Sequence, residues 1–83
     1  MNFIPSVIQA EYREDYRIHL LFNDDSEATV DFSQWLDGPV FEPLKDREYF
    51  RRFFLDGGTV AWPNCADIAP ETLYKEAKES TAA

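Results

Sequence analysis

The sequence predicts an α+β fold in which an antiparallel sheet carries a helix on one face. Residues 16–22 alternate between apolar and polar side chains, which indicates a strand with one buried face. The paired glycines Gly57-Gly58 lie between two β-favouring runs and suit a tight hairpin, because such a turn needs positive φ. Pro70 is well placed to begin a C-terminal helix, predicted to run to Lys78. We therefore expect a three-stranded meander, a second hairpin and a helix packed on one face.

Three strands make up the predicted meander: Ser6–Tyr12, Tyr16–Phe22 and Glu27–Phe32. The connecting loops are short and polar, so the strands must be antiparallel. In the first strand, alternation places Ile8, Ala10 and Tyr12 on the face opposite Val7, Gln9 and Glu11. The residues expected to face inward from the other two strands are Tyr16, Ile18, Leu20, Phe22, Ala28, Val30 and Phe32.

The segment after the meander is less regular. Residues 33–36 are predicted to form a helical turn, and Asp46 is predicted to cap a short helix over residues 47–52. Between them, Phe41 and Leu44 are expected to anchor the connector to the core.

The second hairpin and the final helix are linked by a proline-containing loop. Pro63 ends the strand before it, because proline has no N–H to donate to a ladder. In the helix, Leu73 and Ala77 are expected to face inward, with Tyr74 beside them. The whole chain, residues 1–83, is predicted to be one domain whose last residues, 79–83, fray.

The charge of the chain restricts its partners. Sixteen acidic and eight basic residues give a net charge of −8. A charge of this sign repels phosphate backbones, so direct nucleic-acid binding is not expected and a basic protein partner fits better. A single cysteine indicates a reducing compartment. The first ten residues lack the features of a signal peptide, and no apolar run could span a membrane, so a cytoplasmic location is expected.

Few residues could carry chemistry. His19 could act as a general base and Cys65 as a reactive thiol, but neither has a catalytic partner nearby in the sequence. The acidic residues Asp24, Asp25, Glu27 and Asp31 lack the glycine and the distal glutamate of a calcium loop, which favours a solvated turn. We therefore expect neither catalysis nor a metal or cofactor, unless a pocket holds His19 or Cys65 beside a carboxylate.

One constellation has two interpretations: Trp62, Pro63, Asn64, Asp67 and Tyr74. These residues could form a recognition surface, because tryptophan and tyrosine are frequent binding anchors. Alternatively, Trp62 fills the core while Asn64 and Asp67 bond the loop backbone, since buried loop amides need such partners. We favour the second interpretation.

Two motifs resemble those of a bacterial family known as domain of unknown function 2442. Residues 57–74 read G-G-T-V-x-W-P-N-x-x-D-I-x-P-E-x-L-Y, and residues 41–50 read F-x-P-L-K-D-x-x-Y-F. The chain departs from the family pattern at Cys65, where glycine is expected, and at Ala69, where serine is expected. The resemblance implies a compact α+β domain, found alone or fused to a helix-turn-helix segment. It also implies a second small protein encoded alongside, in a pattern that suggests toxin–antitoxin pairs, and it assigns no catalytic residue.

These observations together predict a small acidic protein-interaction module without enzymatic activity. Its partner would be a basic neighbour, in an antitoxin-like pairing. The alternative is an accessory domain in transcriptional regulation that acts through a DNA-binding partner. A small enzyme is the more remote alternative.

Overall fold

A computed structural model describes residues 4–81 of the chain, and it has the predicted α+β architecture. The meander is a three-stranded antiparallel sheet in the order β1-β2-β3, while the second hairpin forms a two-stranded sheet of its own. The strands are β1 Val7–Tyr12, β2 Arg17–Phe22, β3 Glu27–Asp31, β4 Phe54–Asp56 and β5 Thr59–Ala61. The helices are α1 Arg47–Phe50 and α2 Pro70–Thr81, and two 3₁₀ turns cover Phe32–Trp35 and Glu42–Lys45.

The C-terminal helix α2 packs against β3, as predicted. Leu73 and Ala77 on its inner face are buried, and Tyr74 is half-buried beside them. The helix ends at Thr81, three residues beyond the predicted Lys78. Part of the predicted frayed end, residues 82 and 83, lies outside the described residues, as do residues 1–3 of the predicted domain. In residues 4–81, no helix combines the length and the apolar character needed to cross a bilayer.

The core lies between α2 and one face of the meander. Ile18, Leu20 and Phe22 of β2 have no exposed surface, which confirms the alternation read from the sequence. Ala28, Val30 and Phe32 are buried with them. Removing a side chain of this size from water stabilises the fold by about 1.5–3 kcal/mol.

The first strand departs from strict alternation. Val7 is only 3% exposed, whereas Ile8 is 50% exposed. The cause is an irregularity in the register: Val7 pairs with Phe22, but Gln9 already pairs with Leu21, so Ile8 is an extra residue. Beyond this bulge, Ala10 and Tyr12 pack against the core on the same side as Val7. The sequence prediction that Val7 and Ala10 face opposite sides was therefore wrong.

The hairpin turn is fastened to the start of β1. The amide of Val7 donates to the carbonyl of Gly58 at 2.8 Å. Gly57 and Gly58 have φ of +62° and +81°, the left-handed region that favours glycine. A Cβ on Gly58 would clash with the Ser6 hydroxyl and lie 3.3 Å from the Ser6 Cβ, so glycine suits this turn for its conformation and for its close approach.

The connector between the two sheets is held by capping carboxylates. Asp31 accepts a hydrogen bond from the Ser33 amide, which caps the first 3₁₀ turn. Asp46 accepts one from the Glu48 amide and caps α1, as predicted, although α1 ends at Phe50 and not at Arg52. Leu44 is fully buried and Phe41 is half-buried against the core, so both serve as the expected anchors.

Candidate functional site

An open groove lies between the β4–β5 hairpin and the outer face of the meander. Its volume is about 550 Å³, within the range of small-molecule and peptide sites. The residues that line it are Ile8, Gln9, Ala10, Glu11, His19, Leu21, Glu27 and Leu55. We call this cavity the groove.

The groove exists because the meander has only one covered face. Ile18, Leu20 and Phe22 point into the core, so His19 and Leu21 between them point to the opposite face. Leu55 of β4 approaches that face from the side, since the hairpin lies next to β1. The bulge turns Ile8 towards the groove as well. Ile8 is 50% exposed and Leu55 is 39% exposed, so the groove has exposed apolar lining.

His19 is held by hydrogen bonds from both ring nitrogens. Its Nε2 lies 2.8 Å from Glu27 Oε1, and its Nδ1 lies 2.9 Å from Thr29 Oγ1. A ring nitrogen that faces a carboxylate must carry the proton, so Nε2–H donates to Glu27. In the neutral ring, Nδ1 then accepts from the Thr29 hydroxyl. His19 therefore has the orienting carboxylate that the sequence alone did not reveal.

The carboxylates of the groove already have partners within the chain. Glu27 is bonded to His19, and Glu11 Oε1 lies 3.0 Å from Arg13 Nη1. Glu11 and Arg13 are both well exposed, so solvent screens this pair and its contribution to stability is at most about 1 kcal/mol. The groove thus combines exposed apolar side chains with an acidic, internally paired border.

Trp62 lies inside the protein. It is 1% exposed, and its indole Nε1–H donates to the Phe50 carbonyl at 2.8 Å. Its ring centroid is 5.6 Å from that of Phe50 and 6.0 Å from that of Phe32. The structural interpretation of Trp62 is confirmed, because a partner could not reach the indole without unfolding this region.

Asn64 fastens the loop that follows Trp62. Its Oδ1 accepts from the Ala66 amide at 3.1 Å, and its Nδ2 donates to the Val40 carbonyl at 3.0 Å. Asp67 forms an isolated backbone bridge with Ala61, and Asp67 is exposed. Asn64 therefore bonds the loop backbone as expected. Within residues 4–81 the Asp67 side chain makes no such hydrogen bond, so that part of the prediction was wrong, and Asp67 lines a second, smaller pocket with Trp35 and Phe41.

Tyr74 points to the turn between β2 and β3. Its hydroxyl donates to Asp24 Oδ2 at 2.7 Å, and its ring packs edge-on against Phe22. Hydrogen bonds from Ser26 and Tyr74 lower the pKa of Asp24 from 3.8 to about 2. Trp62, Asn64, Asp67 and Tyr74 thus contact different parts of the molecule. A binding role for those that are exposed, Pro63 included, stays a prediction.

The remaining acidic residues of the turn are solvent-exposed. Within residues 4–81, no three side chains of His, Cys, Asp or Glu are grouped so that they could hold a metal ion. Burial opposes ionisation of Asp31, but hydrogen bonds from Ser33 outweigh it, so the pKa of Asp31 lies below its ordinary value. Cys65 is exposed and has φ of +70°, which explains why glycine is the expected residue there.

The sequence interpretation missed the apolar residues of both cavities. Ile8 had no signal, because a bulge cannot be seen in an alternating pattern. Leu55 did have a signal: it is an apolar residue close to a tight turn, in a strand of only three residues. Trp35 and Phe41 flank an irregular segment that contains Asp37 and Gly38-Pro39, and no periodicity places them together.

Comparison with protein-family models gives one finding. Residues 7–79 match the family described as protein of unknown function (DUF2442). Comparisons with curated proteins and with solved structures gave no match. The matched range includes every strand and helix described above except the last two residues of α2.

Proposed function

Since the chain belongs to the DUF2442 family, whose function is unknown, we propose from its geometry that it is a non-enzymatic module that binds a basic protein. The observation that carries this proposal is the groove, where Ile8 and Leu55 are exposed within an acidic border. Grouped apolar side chains on the surface of a small domain mark an interaction site.

The charge of the chain supports the basic character of the partner. A net charge of −8 on 83 residues attracts basic proteins and steers their approach. Glu11 and Glu27 concentrate part of that charge beside the apolar lining of the groove. A basic segment with apolar side chains would therefore match the groove in both respects. An antitoxin-like pairing in the cytoplasm with a basic neighbour is the biological form of this proposal.

Affinity capture with matched variants tests the proposal. Leu55→Glu places a charge in the groove. Since Val40 adjoins the second pocket, Ile4→Glu, at a residue that is 73% exposed and lines neither cavity, is the matched control. We expect wild type and Ile4→Glu to retain a basic protein that Leu55→Glu loses. Equal capture by all three chains, or capture of acidic proteins only, would contradict the proposal. Circular dichroism of each variant checks that it is folded.

The regulatory alternative differs only in the class of partner. A DNA-binding protein is one kind of basic protein, and the acidic chain would reach DNA through it. The complex would then retard operator DNA in a salt-sensitive manner, while the chain alone would not. Retardation by the chain alone would contradict both forms of the proposal.

A specific observation also favours a small enzyme. Thr29, His19 and Glu27 form a hydrogen-bonded series in the order of a nucleophile, a base and an orienting carboxylate. However, Thr29 is exposed and is not among the described residues that line the groove, so it lies beside the cavity. His19 and Thr29 are also direct cross-strand neighbours, for which such a hydrogen bond is ordinary. A hydrolase activity lost in Thr29→Val would establish the enzyme instead.

A further inference from the structure

A second cavity lies beside the first 3₁₀ turn, away from the groove. Its volume is about 350 Å³, and it is bounded by Gln34, Trp35, Asp37, Phe41, Asp67 and Ile68. We call it the aromatic pocket. No residue is shared between its lining and that of the groove.

The aromatic walls of the pocket are firmly supported. Trp35 packs edge-on against Phe32 with a centroid distance of 5.2 Å, and Phe32 in turn contacts the buried Trp62. On the other side, Asn64 ties the loop before Asp67 to the Val40 carbonyl, next to Phe41. Each wall of the pocket is therefore tied to a different part of the fold.

Two carboxylates border the pocket, those of Asp37 and Asp67. Asp37 and Asp67 are exposed, and among residues 4–81 neither forms an ion pair. This differs from the groove, where Glu27 has His19 and Glu11 has Arg13. Aromatic rings close to carboxylates that have no ion pair within residues 4–81 attract a cation, through the ring quadrupole and through direct charge–charge attraction.

We propose that the aromatic pocket binds the guanidinium group of an arginine side chain from the basic partner. A guanidinium is flat and weakly hydrated, so it stacks on Trp35 or Phe41 while its N–H groups reach Asp37 and Asp67. A lysine ammonium is compact and strongly hydrated, and it fits a flat aromatic wall less well. This inference rests on the proposed function for the identity of the partner, but the pocket can be tested without one.

The test uses N-acetylarginine amide as the probe and the ¹⁵N-labelled full chain. The blocked ends leave the guanidinium as its only charge. We expect saturable shifts of the Trp35 indole N–H and the Ile68 amide at millimolar probe. The Trp62 indole, which is buried and donates to Phe50, serves as an internal control and should stay unchanged. N-acetylcitrulline amide has the same shape without the charge and should produce no shift.

Two double variants distinguish binding in the aromatic pocket from nonspecific attraction of the cationic probe to the acidic chain. Asp37→Asn with Asp67→Asn should weaken probe binding about tenfold, because two exposed charge pairs are lost. Glu11→Gln with Glu27→Gln removes the same charge from the groove and should leave probe binding within about twofold. Equal weakening by both pairs, shifts with the citrulline probe, or no shift at Trp35 would overturn the inference.

The outcomes also separate this inference from the proposed function. Capture of a basic partner through Leu55 without arginine binding at Trp35 would refute the pocket and leave the groove proposal standing. Arginine binding at Trp35 with no basic partner captured would refute the proposed function and leave the pocket as a guanidinium site.

Discussion

The groove and the aromatic pocket differ in how their charges are satisfied. In the groove, Glu27 bonds to His19 at 2.8 Å and Glu11 to Arg13 at 3.0 Å, so a ligand there meets carboxylates that already have partners. In the pocket, Asp37 and Asp67 have no ion pair among residues 4–81. The groove therefore offers a basic partner apolar surface beside carboxylates that already have partners, whereas the pocket offers carboxylates that have no ion pair within residues 4–81.

The two cavities also differ in the structure that supports them. The groove is built from strand residues and the bulge at Ile8, and it depends on the hairpin lying close to β1. The pocket is built from irregular turns and depends on the aromatic contacts that lead from Trp35 through Phe32 to Trp62. A substitution can therefore disturb one cavity and spare the other.

The largest effect is expected from Trp62→Ala. It leaves a cavity in the core and an unpaired Phe50 carbonyl, so the free energy of unfolding should fall by about 3–5 kcal/mol. Urea denaturation followed by circular dichroism measures this loss. Under conditions where the variant is still folded, arginine binding at the pocket should weaken because Phe32 and Trp35 lose support. A loss below 1 kcal/mol would show that Trp62 is not a core residue.

The next effect distinguishes the two glycines of the hairpin turn. Gly58→Ala combines positive φ with a clash against Ser6 and should destabilise the fold by about 1–3 kcal/mol. Gly57→Ala is the matched control, since its Cβ would meet no atom within 4 Å, and it should cost about 1 kcal/mol. Gly58→Ala should shift the amide resonances of groove residues 8–11 and spare the Trp35 indole. Equal costs would show that the hairpin does not press against β1.

A smaller, stabilising effect is expected on the side of the pocket. Cys65 has φ of +70°, so Cys65→Gly relieves backbone strain and should raise the free energy of unfolding by about 0.5–1 kcal/mol after the entropy of glycine is subtracted. Cys65→Ala keeps the strain and serves as the control. A similar stability for both variants would argue that the loop does not hold this conformation in solution.

The smallest effect concerns Asp24, a fully partnered carboxylate that lies in neither cavity. The pKa of Asp24 is lowered from the ordinary value of 3.8 to about 2 in the folded chain. The ionised carboxylate therefore stabilises the fold fully above pH 3.8, and this stabilisation is lost as the pH falls through about 2. Tyr74→Phe removes one of the hydrogen bonds and should raise the pKa, although Ser26 keeps it below 3.8. A ¹³C titration of the Asp24 carboxyl measures this, with Tyr49→Phe as the control. An unchanged titration in Tyr74→Phe would show that the hydroxyl does not reach Asp24.

The regular parts of the fold could be predicted because they carry clear local signals: apolar side chains at every second position of a strand, and glycines or prolines where an element turns or begins. The alternation at Ile18, Leu20 and Phe22 decides the face of β2, and Gly57-Gly58 decides the hairpin. Pro70 decides the start of α2, but no equally strong signal marks its end, and the prediction stopped three residues short.

The cavities could not be predicted, since each depends on a departure from those regular patterns. The groove needs the bulge at Ile8, which follows from pairing with β2 and from the hairpin docking beside it. The pocket needs the Asn64–Val40 hydrogen bond, which joins residues 24 positions apart. Asp67 was among the candidate residues, but its neighbours Trp35 and Phe41 were not.

Hydrogen–deuterium exchange of the chain, alone and with any basic protein recovered by affinity capture, tests the central proposal that binding uses the groove and the aromatic pocket. The account predicts slower exchange in the complex at residues 8–11 and 54–56 of the groove and at residues 35–41 and 66–68 of the pocket. Exchange on the outer face of α2 should be unchanged. Protection confined to α2, with the groove and the pocket exchanging as in the free chain, would contradict it.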